Sequence, residues 1–155
     1  MTQMNAANTD EDTKTVLVVE DSMVQAVSLG QLLLKHGLSV LHAPDGRSGV
    51  FVAQRYLPDA IILDLEMPHM NGLQACLRLK ADPKTAHIPI VILTQHSDEA
   101  ALIDQALDYG AVDYIPKDSF ANAVLVETLR QLSVLHIADG RETTVEARDA
   151  YTRIE

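Results

Sequence analysis

Five short apolar runs, each followed by a stretch with helical spacing, constrain this chain more than any other feature of its sequence. Val16-Leu17-Val18-Val19, Leu38 to His42, Ala60-Ile61-Ile62-Leu63, Ile88 to Leu93 and Val112 to Ile115 are continuous rather than alternating. A strand that is apolar on both sides is buried on both faces, as in a parallel sheet covered by helices. Ser22 is placed to cap a helix reaching about His36, with Val24, Val27, Leu29, Leu32 and Leu33 near helical spacing and Gly37 as its stop. Pro44-Asp45-Gly46 leads into a weaker helix over about residues 46–55. Asn71-Gly72 opens a helix to about Lys80, which Asp82-Pro83 breaks. Ser97-Asp98-Glu99 caps a fourth helix that ends near Gly110, its two acids favoured by the helix dipole. Ser119 caps a fifth, which carries Val124, Leu125, Leu129, Leu132 and Leu135 and breaks at Asp139-Gly140. Alternating strands and helices with right-handed crossovers give an α/β fold. The expectation is a doubly wound, five-stranded parallel sheet of order 2-1-3-4-5, the flavodoxin-like (βα)5 arrangement.

In such a sheet, ligands bind outside the carboxyl ends of the strands, at the switch point between the first and third. The first run ends in Glu20-Asp21, the third in Asp64, the fourth in Thr94 and the fifth at Lys117. Any one carboxylate after a strand is ordinarily a helix cap. Matched chemistry at four strand ends is a different matter. Three carboxylates brought together repel one another, and a hard divalent cation such as Mg²⁺ relieves this. A lysine and a hydroxyl beside them suit a further anion, a phosphoryl group. The constellation reads as a Mg²⁺-dependent phosphoryl site with an aspartate as nucleophile.

Composition narrows the classes. The 155 residues hold 12 Lys and Arg against 22 Asp and Glu, a net charge of −10, so direct nucleic-acid binding is disfavoured. Cys76 is the one cysteine, which excludes an intrachain disulfide and fits a reducing compartment. No apolar run approaches the roughly 18 residues of a membrane span, and no signal peptide is evident; a cytoplasmic protein with no membrane insertion is expected. The six histidines show no pair at metal-site spacing.

The segments Val18-Val19-Glu20-Asp21-Ser22, Ile62-Leu63-Asp64-Leu65-Glu66-Met67-Pro68-His69-Met70-Asn71-Gly72, Ile92-Leu93-Thr94 and Tyr114-Ile115-Pro116-Lys117 resemble the signatures of the response-regulator receiver (CheY-like) domain of two-component signalling. The resemblance covers about residues 14–137. It implies that Asp64 accepts a phosphoryl group from a phosphohistidine on a sensor histidine kinase or phosphotransfer protein. It implies that Glu20, Asp21, Asp64 and the backbone carbonyl of Glu66 hold Mg²⁺, for which Mn²⁺ can substitute. Lys117 would pair with the phosphoryl oxygens. Thr94 and Tyr114 would act as the switch, changing the helix 4–strand 5–helix 5 face for a downstream protein partner or a homodimer. A cis peptide bond before Pro116 is expected on the same ground. Such a chain would catalyse only its own phosphotransfer and dephosphorylation and would not be an enzyme on a separate substrate.

Three positions depart from the usual pattern. Glu20 stands where Asp is more common, and its longer arm reaches the metal through water. Gln95 follows Thr94 where a small residue is usual, putting a bulkier amide beside the phosphoryl group, and Glu66 puts a side-chain anion near the acyl phosphate; Gln95 and Glu66, the latter with His96, are expected to modulate its lifetime. The domain plan is a flexible tail over 1–13, a receiver over 14–137 and an extension over 138–155. Thr143-Thr144-Val145-Glu146 resembles a capping box for a short helix in that extension. The extension is too short for an output domain, so a single-domain regulator acting through a partner is expected. The alternatives are a phosphorylation-independent receiver scaffold, a haloacid-dehalogenase-type phosphohydrolase and a flavodoxin-type FMN protein. Asp64-Leu65-Glu66 lacks the second Asp of the phosphohydrolase motif, and Glu20-Asp21 would repel a flavin phosphate.

Overall fold

The structure is a computed structural model that describes residues 2–4, 13–65, 71–95 and 100–134. In chain order the elements are β1 (Thr2–Met4), β2 (Thr15–Val19), α1 (Met23–Lys35), β3 (Ser39–Ala43), α2 (Gly46–Tyr56), β4 (Ala60–Leu63), α3 (Gly72–Ala81), β5 (Ile90–Thr94), α4 (Ala100–Asp108), β6 (Asp113–Pro116) and α5 (Ala121–Gln131). They form one sheet of order β1-β3-β2-β4-β5-β6. From β3 to β6 every pairing is parallel. The five parallel strands therefore follow the 2-1-3-4-5 order expected from the apolar runs.

Successive side chains of a strand point to opposite faces, and this sorts the core into two halves. Leu17, Val19, Leu41, Ile61, Leu63, Ile90 and Ile92 meet Val50 and Ala53 of α2, Cys76 and Leu79 of α3, and Ile103 and Ala106 of α4. Val16, Val18, Val40, Ile62, Val91, Leu93 and Ile115 meet Leu29 and Leu33 of α1 with Leu125 and Leu129 of α5. Cys76 is fully buried, the small hydrophobe its helical spacing suggested. Burial pushes its thiol pKa up.

The helix starts follow the side-chain chemistry of their caps. Ser22 Oγ accepts from Gln25 N, Asp45 Oδ1 from Ser48 N and Asn71 Oδ1 from Gln74 N. Past α1, Gly37 takes φ +84°, a left-handed conformation that glycine adopts without strain.

Four expectations are corrected. The segment over 1–13 contains a strand: Thr2–Met4 pairs antiparallel with Val40–His42 of β3, covering an edge that would otherwise present unpaired backbone groups. Ser119 does not cap the fifth helix. Asp118 Oδ1 accepts from Phe120 N, and this turn moves the cap to Phe120, whose side chain makes no capping bond. The same helix ends earlier than Leu135, at Gln131, because Ser133 turns to φ 65° and Val134 N bonds back to Leu129 O. The Ile115–Pro116 bond is trans: among the described residues there is no cis peptide. Pro116 closes an edge strand, and Lys117 N donates to Thr94 O at 2.8 Å, so an extended chain carries the ladder past a residue whose missing N–H faces no strand. The Ser97-Asp98-Glu99 cap, Asp139-Gly140 and the whole 138–155 extension lie outside the described residues.

Candidate functional site

The carboxyl ends of β2, β4 and β6 deliver their polar residues to one place because the ladder holds them level. Val19 is in register with Leu63, and Asp64 N donates to Val19 O at 3.1 Å, so Asp64 follows the ladder directly. Glu20 N donates to Ala43 O at 3.0 Å, which fixes the turn out of β2. Behind it, buried His42 Nε2 lies 2.8 Å from Glu20 O; a carbonyl can only accept, so the imidazole proton sits on Nε2. Gly72 N donates to Leu65 O at 2.9 Å, closing the loop after Asp64. A Cβ on Gly72 would run into the Asp64 carbonyl oxygen and stand 2.5 Å from Leu65 Cα. Only glycine lets α3 begin this close to the Asp64 backbone.

One oxygen from each of Glu20, Asp21 and Asp64 can be chosen so that all lie within 4.8 Å of one another. Glu20 and Asp64 are buried and Asp21 is exposed, so the cluster opens to solvent on one side. Lys117 Nζ reaches into it, 2.8 Å from Glu20 Oε1, 3.4 Å from Asp64 Oδ2 and 2.6 Å from Gln25 Oε1. Within the cluster one ammonium thus faces three carboxylates. Hard oxygen donors in excess of positive charge, with an open side for water, fit Mg²⁺. Glu20, Asp21, Ser22, Gln25, Asp64, Gln95 and Lys117 line a cavity of about 170 Å³, room for a small hydrated ion and a phosphoryl-sized anion. A second cavity of about 340 Å³ adjoins it between α1 and α5 and shares Glu20, Gln25, Gln95 and Lys117 with it.

Glu20, Asp21, Asp64 and Lys117, predicted from the strand ends, are brought together. Thr94 is at the end of β5 as expected but is 1% exposed and does not line the acidic cavity. Tyr114 is on β6 and exposed, two residues before Thr94's register partner Pro116 and away from the cavity lining. Gln95, beside Thr94, lines both cavities. Glu66 and His96 lie outside the described residues. Sequence reasoning missed Gln25. It lies in the first turn of α1, directly after the Glu20-Asp21 strand end, and that proximity was the available signal.

Comparison with known proteins agrees with this geometry. The family described as the response regulator receiver domain matches residues 16–130. Protein PilH of Pseudomonas aeruginosa is 37% identical over 102 residues, which make up 66% of this chain and 84% of PilH. Histidine kinase P4 of Formosa agariphila is 39% identical over 109 residues, 70% of this chain but 8% of that protein. Among solved structures, the receiver domain of a Pseudomonas aeruginosa sensor histidine kinase, with a magnesium ion coordinated in its active site cleft, superposes with a TM-score of 0.71 at 28% identity, covering 77% of this chain and 97% of that one. The matched segment runs from β2 into α5 and so takes in every strand that feeds the acidic cavity. The chain belongs to the response regulator receiver domain family.

Proposed function

We propose that Asp64 is the phosphoacceptor of this receiver. The observation that carries the proposal is the cluster itself: Asp64 stands at a strand end beside Glu20 and Asp21, with the Lys117 ammonium 3.4 Å from its Oδ2. A carboxylate oxygen of Asp64 attacks the phosphorus of a phosphohistidine on a sensor histidine kinase or phosphotransfer protein. The P–O bond forms as the P–N bond breaks, and the imidazole nitrogen keeps the electron pair and takes up a proton. Mg²⁺, or Mn²⁺ in its place, held by Asp21, Asp64, the Glu66 carbonyl and, through water, Glu20, would neutralise charge on the carboxylates and the transferring group. Both Glu20 carboxylate oxygens already have partners, Oε1 in Lys117 and Oε2 in Ser22 N at 3.2 Å, which supports the water-mediated role.

A phosphoryl group adds about −1.5 to −2 charges and three acceptors at Asp64. Lys117 pairs with those oxygens, and the Thr94 hydroxyl turns toward them. Tyr114 follows, so the α4–β6–α5 face shifts population and meets a downstream partner or a second copy. Gln95 and Glu66 modulate how long the acyl phosphate lasts. The chain acts in the cytoplasm and catalyses only its own phosphotransfer and dephosphorylation. Among the described residues no helix is long and apolar enough to cross a membrane. The test is intact mass after incubation with Mg²⁺ and a small phosphodonor. One added phosphoryl group, absent in Asp64→Asn and on chelation of the metal, is expected; no modification with any donor would favour a phosphorylation-independent scaffold.

A further inference from the structure

The α1 N-terminus carries Ser22-Met23-Val24-Gln25, the pattern of a capping box, in which the third residue's side chain ordinarily returns to the cap's own N–H. Half of that box forms: Ser22 Oγ accepts from Gln25 N at 3.3 Å. The other half does not, because Ser22 N donates instead to Glu20 Oε2 at 3.2 Å. The Gln25 amide is thereby diverted from its helix, and its Oε1 accepts from Lys117 Nζ at 2.6 Å, a shorter contact than the lysine makes with either carboxylate. Gln25 and Lys117 also line both cavities, so their hydrogen bond forms part of the wall between the acidic site and the α1–α5 groove.

We propose that Gln25 is a positioning residue for Lys117: its carbonyl oxygen draws the ammonium to the α1 side of the cavity, where it still pairs with Glu20, and keeps it from closing further onto Asp64. This rests on the phosphoacceptor reading above. The reason for a partner outside the acidic cluster is charge. A lysine held only by Glu20 and Asp64 sits as a full ion pair over the oxygens that a divalent cation needs, and the two cations then compete. A lysine shared with a group outside the cluster leaves Asp64 accessible and remains near enough to meet a phosphoryl group there. Gln25 touches neither the transferred group nor the acceptor; it acts through Lys117.

The experiment compares Gln25→Met, which matches glutamine in length and lacks the acceptor, with Gln25→Glu, which retains it. Mg²⁺ alone is titrated into each full chain, followed by calorimetry or by amide NMR shifts, and phosphorylation by a small phosphodonor is then timed at limiting and saturating Mg²⁺. Losing one hydrogen bond to a charged group at a partly exposed rim should weaken Mg²⁺ binding by about three- to tenfold in Gln25→Met. Phosphorylation of that variant should be slow at limiting Mg²⁺ and approach the unsubstituted rate at saturation. Gln25→Glu should bind Mg²⁺ at least as tightly as the unsubstituted chain. Unchanged Mg²⁺ affinity in Gln25→Met, or equal weakening in both variants, would overturn the positioning role. Failure of the unsubstituted chain to bind Mg²⁺ and to become phosphorylated would instead overturn the phosphoacceptor reading, and this inference with it.

Discussion

Lys117 and Glu20 are 97 positions apart in the sequence and form an ion pair of 2.8 Å, with side chains 15% and 6% exposed. The pair joins the two ends of the parallel sheet's chain path across the strand ends, and it is the cation's strongest hold on the acidic cluster. Removing Lys117 leaves Glu20, Asp21 and Asp64 with their oxygens within 4.8 Å of one another and without this counter-charge. Lys117→Ala should therefore lower stability in metal-free buffer by about 1–3 kcal/mol, below the full cost of breaking a buried pair because solvent reaches the site. Added Mg²⁺ should raise the melting temperature of Lys117→Ala by more than it raises that of the unsubstituted chain. An equal or smaller rise would show that the lysine does not balance the cluster.

Gly72 sets how closely α3 approaches the Asp64 backbone. A methyl group at this position meets backbone rather than a flexible side chain, so neither partner can move aside without shifting the Asp64–Leu65 segment. Gly72→Ala should cost about 1–3 kcal/mol in urea unfolding, although alanine is the better helix former. It should also slow phosphorylation at Asp64. A neutral or stabilising effect would contradict the close approach.

Two apolar residues of the α5 region should behave in opposite ways. Leu125 is 1% exposed and packs under the sheet with Leu129 and Ile115, so Leu125→Ala should cost about 2–5 kcal/mol. Phe120 is 70% exposed at the α5 cap, so Phe120→Ala should change stability by about 0.5 kcal/mol or less. Equilibrium unfolding of both variants checks the contrast.

Gln95 follows the buried Thr94 and lines the acidic cavity. Autodephosphorylation should change several-fold in Gln95→Ala or Glu66→Ala, measured as decay of the phosphorylated mass after the donor is removed. Unchanged decay in both variants would contradict a modulating role.

Strands β2 to β5 were legible because they are buried on both faces, and uninterrupted runs such as Ala60-Ile61-Ile62-Leu63 have few other uses. The acidic cluster was legible for a related reason: once the strand order is known, the residue after each strand has a known neighbour, as Asp64 has Val19. Features set by single side-chain choices were not. Ser119 has the right chemistry for a cap, but Asp118 captures the turn first. Gln25 follows a capping-box pattern, but Glu20 takes the backbone N–H that would have completed it. In both cases two residues compete for one donor, and spacing alone does not decide the winner. Thr2–Met4 gave no strand signal because an edge strand of three residues is held by backbone pairing with β3 rather than by an apolar pattern of its own.

The most direct test of the central claim is to locate the phosphoryl group. The chain is phosphorylated with Mg²⁺ and a small phosphodonor, the acyl phosphate is reduced with borohydride, and the peptides are sequenced by mass spectrometry. The structure predicts one modified residue, Asp64, now present as its reduced alcohol. Modification at Glu20, at Asp21 or at a hydroxyl such as Thr94, with Asp64 intact, would contradict it.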